Sequence, residues 1–274
     1  MPCNVKGKDS RIVYKRPHSD REIQEEWGRF TYKVSDKEGE SRDGTIVLIP
    51  TSKRVVVSSD FRFSEEGWST VGNRPNGVIY EQSSRGIMNH FIYAADNSLN
   101  INENKDDEDV WYFMLPEKFN GWQGIVYGGT FEFSLSSFGG NFALENQNQP
   151  QKLNIAEIFC ERCNANQGER IGFPVAATSR FEGKTTSFVL TLTETSGWLI
   201  DPKNTNHQWT KPTRCQFIEI LSGISSIRIL GDFTTWYESV SIDNVKFVTS
   251  EPRGRYHLPT CAQVSPDGKR CKCP

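Results

Sequence analysis

Apolar and polar residues alternate with a period of two through much of the chain, which predicts strands rather than helices. Phe30, Tyr32 and Val34 alternate with Thr31, Lys33 and Ser35. Residues 36–39 then supply turn chemistry, and residues 45–49 form a returning strand closed by Pro50. Two strands alone are marginal in water, so this hairpin belongs to a partial domain or docks on the segment C-terminal to it. Val55, Val56 and Val57 lead into an acidic, aromatic stretch, 60–68, that closes on Gly67-Trp68. Further strands are predicted at 89–95, 110–115, 130–135, 156–160, 170–175, 186–193, 226–230 and 240–248, with polar loops at 96–109 and 141–151. One helix is expected after Pro212. Thr213 lies three residues before Gln216, a capping-box spacing, and Phe217, Ile220 and Leu221 share one face. Gly223 is placed to end the helix in a left-handed conformation.

Composition strengthens the β reading. Aromatic residues make up 12% of the 274-residue chain, and they suit pleated, half-buried surfaces. A formal charge of −2 with acids and bases interspersed gives no basic stripe, which argues against nucleic acid as a partner. No apolar run approaches the ~20 residues needed to cross a bilayer, so no membrane insertion is expected within these residues. Residues 1–17 are polar and lack a signal-peptide core, which leaves a cytosolic chain or a segment of a longer secreted one. The cysteines favour the second. Of seven, three crowd into the tail as Cys261, Cys271 and Cys273, in an order suited to a small disulfide-bonded module. A zinc-binding tail is the alternative, with three ligands and no histidine following them.

The run from Trp111 to Phe133, WYFMLPEKFNGWQGIVYGGTFEF, resembles the signature of the laminin IV type A (laminin B) domain. That family carries an aromatic strand ending in a Pro-x-Lys-Phe corner, then a Tyr-Gly-Gly step into an x-Phe-x-Phe strand. A short helix after a Trp-containing loop, followed by Ile-Arg-Ile-Leu and Ile-Asp-Asn-Val, is similar to the C-terminal half of the same domain. The resemblance spans residues 60–248. It implies an all-β fold: an antiparallel jelly-roll β-sandwich, galactose-binding-like, with one short helix, over residues 60–250. Residues 1–59 are then a linker plus a partial hairpin resembling cadherin-like or immunoglobulin-like repeats, and residues 251–274 resemble part of an EGF-like module. The implied function is a non-catalytic structural and adhesion module of a larger secreted or cell-surface protein, with extracellular proteins or glycans as partners. A carbohydrate-binding module, or an accessory domain of a glycoside hydrolase, is the alternative.

The candidate chemistry is sparse. His18, His90, His207 and His257 show no metal-ligand spacing, and neither a Gly-x-Ser-x-Gly elbow nor a phosphate loop is present. Cys160 and Cys163 read as a disulfide pinning a β corner, since no helix begins there to activate a thiol. Asp243 sits among apolar neighbours in the closing strand. In modules of the resembled fold an Asp at this place often ligates a structural calcium, which implies a Ca2+ site of Asp243 with Asp60 and Glu65, or Glu66. The acidic run 103–109 lacks EF-hand spacing and reads as a solvated loop. Trp111 reads as core. Trp122, Trp209 and Trp236 fall in turns or loops and are the candidates for stacking against a sugar ring.

Overall fold

The computed structural model describes residues 28–32, 44–48, 55–72, 77–82, 87, 90–95, 110–143, 153–203, 207–234 and 237–250. The chain divides into two compact units, Met1–Ser52 and Lys53–Pro274. In the first, β1 (Gly28–Tyr32) and β2 (Gly44–Leu48) form the expected antiparallel hairpin, with Phe30 opposite Ile46.

The second unit is a sandwich of two antiparallel sheets. One has the spatial order β12 (Leu199–Ile200), β10 (Glu169–Pro174), β9 (Asn154–Cys160), β13 (Ser226–Leu230), β7 (Tyr112–Met114), β4 (Ser69–Val71). The other runs β11 (Thr186–Thr191), β8 (Thr130–Gly139), β14 (Ser239–Val248), β6 (Phe91–Ala95), β5 (Ile79–Glu81), and β3 (Val55–Ser59) also pairs with β14. The pairing of β3 corrects one expectation: the sandwich begins before residue 60, because Val57 and Ser59 lie in register with Phe247 and Val245. β4, β5 and β12 are three residues long or shorter, too short for alternation to reveal them.

The alternation works as read. Phe131, Phe133 and Leu135 of β8 and Val240, Ile242, Val245 and Phe247 of β14 turn inward. They share one apolar cluster with Phe113, Ile158, Ile171, Ile227 and Ile229 of the facing sheet. Burying each such side chain is worth roughly 1.5–3 kcal/mol, so this cluster is what holds the two sheets together. Trp111 is completely buried beside Phe113, their rings 5.1 Å apart.

The helix Arg214–Ser222 carries the expected capping box: the Gln216 amide donates to Thr213 Oγ1 at 3.2 Å, and the Thr213 amide donates to Gln216 Oε1 at 2.9 Å. Gly223 departs from expectation. Its φ is −142°, not left-handed. A Cβ there would lie 3.1 Å from Cys160 Sγ, so the glycine serves close packing instead. A disulfide joins Cys160 to Cys163 at the turn between β9 and β10, where Asn164, Ala165 and Asn166 all take positive φ. Cys215, on the helix, is a free half-buried thiol. Among the described residues no helix is long and apolar enough to cross a membrane.

Candidate functional site

The site lies where β14 changes neighbours. Along one edge β14 pairs with β8. Along the other, Ser239–Ile242 pair with β6 and Val245–Val248 pair with β3. Asp243 and Asn244 fall at the changeover. A bulge there puts Asp243 opposite Ser134 and Lys246 opposite Glu132, so β14 carries one residue more than β8, and Asn244 takes a φ of 54°. Asp243 is nearly buried. Its Oδ1 accepts from the Asn244 amide at 2.6 Å and its Oδ2 from Asn244 Nδ2 at 3.1 Å.

The loop after β3 wraps this notch. Phe61 and Trp68 anchor it in the core, 5.5 Å apart, and Trp68 continues to Phe119 and Phe119 to Phe247 at 6.3 and 5.8 Å. Trp68 Nε1 also donates to Ser59 Oγ at 2.9 Å. The turn between those anchors needs positive φ at Phe61, Glu66 and Gly67. Asp60, just before the turn, pairs with Arg62 at 2.8 Å, and the turn carries Glu66, whose Oε1 accepts from the Phe61 amide at 2.8 Å. Lys118, from the short turn Glu117–Phe119, donates to the Ser58 carbonyl at 2.7 Å and to Glu66 Oε2.

Electrostatically the notch is strained. Burial pushes the Asp243 carboxyl up to about 7, the charges of Asp60 and Glu66 add to the rise, and the Asn244 amide opposes it. Of the predicted calcium residues, the structure therefore brings Asp60 and Asp243 into one electrostatic neighbourhood and adds Glu66. Glu65 is exposed and meets Trp68 through its own backbone carbonyl. Carboxylates beside a backbone carbonyl are the donor chemistry of a hard cation, and it is Glu66 rather than Glu65 that acts on Asp243 together with Asp60. Among the described residues no three acidic, His or Cys side chains are grouped so as to hold a metal ion. The acidic run 103–109 lies outside the described residues.

The tryptophans separate. Trp122 is 48% exposed, held on a loop whose Gly121 pairs with Ile224 and whose Gln123 amide donates to the Leu221 carbonyl. Gly124 leaves room for its indole beside Ser222 Oγ, and the neighbouring Asn120 has a buried side-chain oxygen without a partner. Trp209 is half-buried and packs over Gly172, where a Cβ would sit 2.7 Å from its ring. Trp236 lies outside the described residues.

Two features went unread in the sequence. Lys118 is one. The other is Glu157, buried on the outward face of β9, which takes Arg228 Nε at 2.9 Å and Nη2 at 2.7 Å, and Asn154 Nδ2 at 3.1 Å. Arg228 stacks over the Tyr112 ring at 4.2 Å. Strand alternation around Ile158 already places Glu157 outward, which was its available signal.

The laminin B (domain IV) family model matches residues 112–264. Among solved structures, the chain is similar to the L4b domain of human laminin alpha-2, with a TM-score of 0.50 and 15% identity over 72% of this chain and 98% of that one. It is less similar to the family 11 carbohydrate-binding module of the Clostridium thermocellum cellulosomal cellulase Lic26A-Cel5E, with a TM-score of 0.42, 11% identity, and coverage of 73% and 99%. An exo-beta-agarase scores 0.38 at 11% identity, over 73% of this chain and 25% of that one. At these identities the L4b likeness is one of fold alone. No curated protein matches the sequence.

Proposed function

Because the chain belongs to the laminin B (domain IV) family, we propose that it serves as a non-catalytic structural and adhesive module of a larger secreted or cell-surface protein. The observation that carries this reading is the family match over 112–264, which takes in the strands of the two-sheet sandwich from β7 to β14. The Cys160–Cys163 disulfide supports it, since such bonds persist in oxidising compartments. The hairpin β1–β2 and the spacing of Cys261, Cys271 and Cys273 support flanking repeats of cadherin-like or immunoglobulin-like and EGF-like kinds. The test is the topology of the full-length protein in its own cells. Epitope accessibility without permeabilisation, with Cys160 and Cys163 resistant to alkylation, is the expected result. A reduced protein confined to the cytosol would overturn the reading.

For calcium, the proposal is a structural ion held by Asp60, Glu66 and Asp243, which would offset the crowding of acid charge at the notch. Chelation should lower the melting temperature of the wild type and leave Asp243→Asn unchanged. Equal melting of the wild type with and without chelator would remove the ion.

A glycan partner is the second reading, favoured by one observation: Trp122 offers an exposed indole near the Ser222 hydroxyl, both lying against Gly124. A ring to stack on and neutral polar groups to orient hydroxyls are what sugar recognition needs. Trp122→Ala should abolish binding on a glycan array without shifting the melting temperature, and an array on which the wild type gives no signal ends this reading.

A further inference from the structure

The sandwich protects its outer strands unequally. β4, β5 and β12 lie at sheet ends and are three residues long or shorter, and a short edge is one way a sheet avoids pairing with other chains. β11 is also an end strand, but it runs for six residues, pairs with β8 without a bulge, and among the described residues has no strand on its far edge. Residues 185–193, TTSFVLTLT, hold no charge, glycine or proline, so the usual devices against edge pairing are missing. The direction of the free backbone groups follows from the next residue. The Leu192 amide donates to the Gly129 carbonyl and the Leu192 carbonyl accepts from the Gly128 amide, both at 2.9 Å. Antiparallel ladders alternate, so Thr186, Phe188 and Leu190 also face β8, and the amides and carbonyls of Ser187, Val189 and Thr191 face away from the sheet. Ser187 Oγ and Ser134 Oγ agree with this, lying 3.0 Å apart as side chains of a non-hydrogen-bonded pair do. Val189, the middle residue of the three, is 60% exposed.

We propose that the free edge of β11 pairs antiparallel with β11 of a second copy of this chain, about a two-fold axis at Val189. Val189 then exchanges both backbone bonds with its own counterpart, and Ser187 of each copy does so with Thr191 of the other, joining the two sheets into one. Charge selects both the partner and the register. Lys184 and Glu194 stand five residues to either side of Val189, so the same axis brings Lys184 of each copy to Glu194 of the other. Two opposite-charge pairs thereby flank an uncharged strand. An axis at Phe188 brings Glu182 to Glu194 instead, two like charges, and an axis at Leu190 brings Lys184 only to Ser196. Lys184 is exposed, and Glu194 is held at the edge by the Tyr127 hydroxyl, which donates to its Oε2 at 2.6 Å. One short strand from each copy makes a small contact, so the dimer is transient and favoured where copies are crowded together. It requires neither the ion nor the glycan.

The experiment is sedimentation equilibrium of the full chain, loaded from roughly 10 μM to 1 mM, with thermal unfolding of each variant as the check on folding. The wild type should show a monomer–dimer equilibrium. Val189→Pro removes an amide that faces away from β8, so it should melt near the wild type and weaken the dimer at least about tenfold. Lys184→Glu and Glu194→Lys each turn two attractive pairs into two repulsive ones and should each weaken it about tenfold, while the double variant restores it. A wild type that stays monomeric to the highest loading overturns the proposal, leaving the edge to a strand of another kind. A dimer that Val189→Pro leaves intact forms elsewhere on the chain and also overturns it. Single charge variants without effect, or a double variant no tighter than either single one, overturn the two-fold register at Val189. Should Val189→Pro not fold, Val189→Lys sets two like charges on the axis and provides the same comparison.

Discussion

Asp243→Asn under chelation is the sharpest probe of the notch. In the folded chain the Asp243 carboxyl titrates at about 7, against an ordinary 3.8, chiefly because it is buried and secondly because Asp60 and Glu66 stand near it. An acid whose folded value is raised binds its proton more tightly when folded. Its effect is therefore favourable at low pH and is lost as pH rises from about 4 through 7, with no further change above that. At about 1.36 kcal/mol per pH decade, the cost at pH 8 has an upper bound of about 4 kcal/mol. Loop opening at residues 60–68 will reduce it. Asparagine cannot ionise, so Asp243→Asn should lose this dependence and be more stable than the wild type at pH 8. The assay is urea unfolding in chelator from pH 5 to 8.5, read as the difference between the two proteins so that all other titrations cancel. The gap should widen steadily in favour of Asp243→Asn up to about pH 7 and then hold. Parallel curves across the range would refute the argument, because they would mean that Asp243 ionises as easily folded as unfolded.

Other outcomes rest on packing and bonding. Gly231→Ala places a Cβ 2.0 Å from the Trp111 ring, which is completely buried and cannot yield; the urea midpoint should fall by the equivalent of about 3 kcal/mol, with loss of near-ultraviolet dichroism. Glu157→Ala strands Arg228 and Asn154 without their acceptor. Because Arg228 retains some contact with water, the loss should be about 1–3 kcal/mol by denaturant titration. Thr213→Ala removes the helix cap and should cost about 1 kcal/mol, measured the same way.

What was legible in the sequence was local. The strand 226–230 is readable to the residue, the Thr213–Gln216 cap needs only a three-residue spacing, and the inward set of β8 comes from alternation. Each depends on backbone geometry that repeats within a few residues, so the residue order carries it. The aromatic run 111–133 and the Cys160–Cys163 pair are likewise readable from composition and spacing. The notch is not. Asp60 and Asp243 come together in the sequence only through a likeness to a fold, and that Glu66 rather than Glu65 acts on Asp243 depends on a positive-φ turn held between Phe61 and Trp68. The partner of Ser58 and Glu66 is Lys118, which no periodicity connects to either. Gly223 does end the helix as local rules place it, but its backbone is not left-handed, and the close approach of Cys160 Sγ is a constraint the sequence does not show. Local rules determine which stretches become strands and which face turns inward. Only the closing of two sheets on one core decided which side chains, far apart in the chain, would have to share a single buried charge.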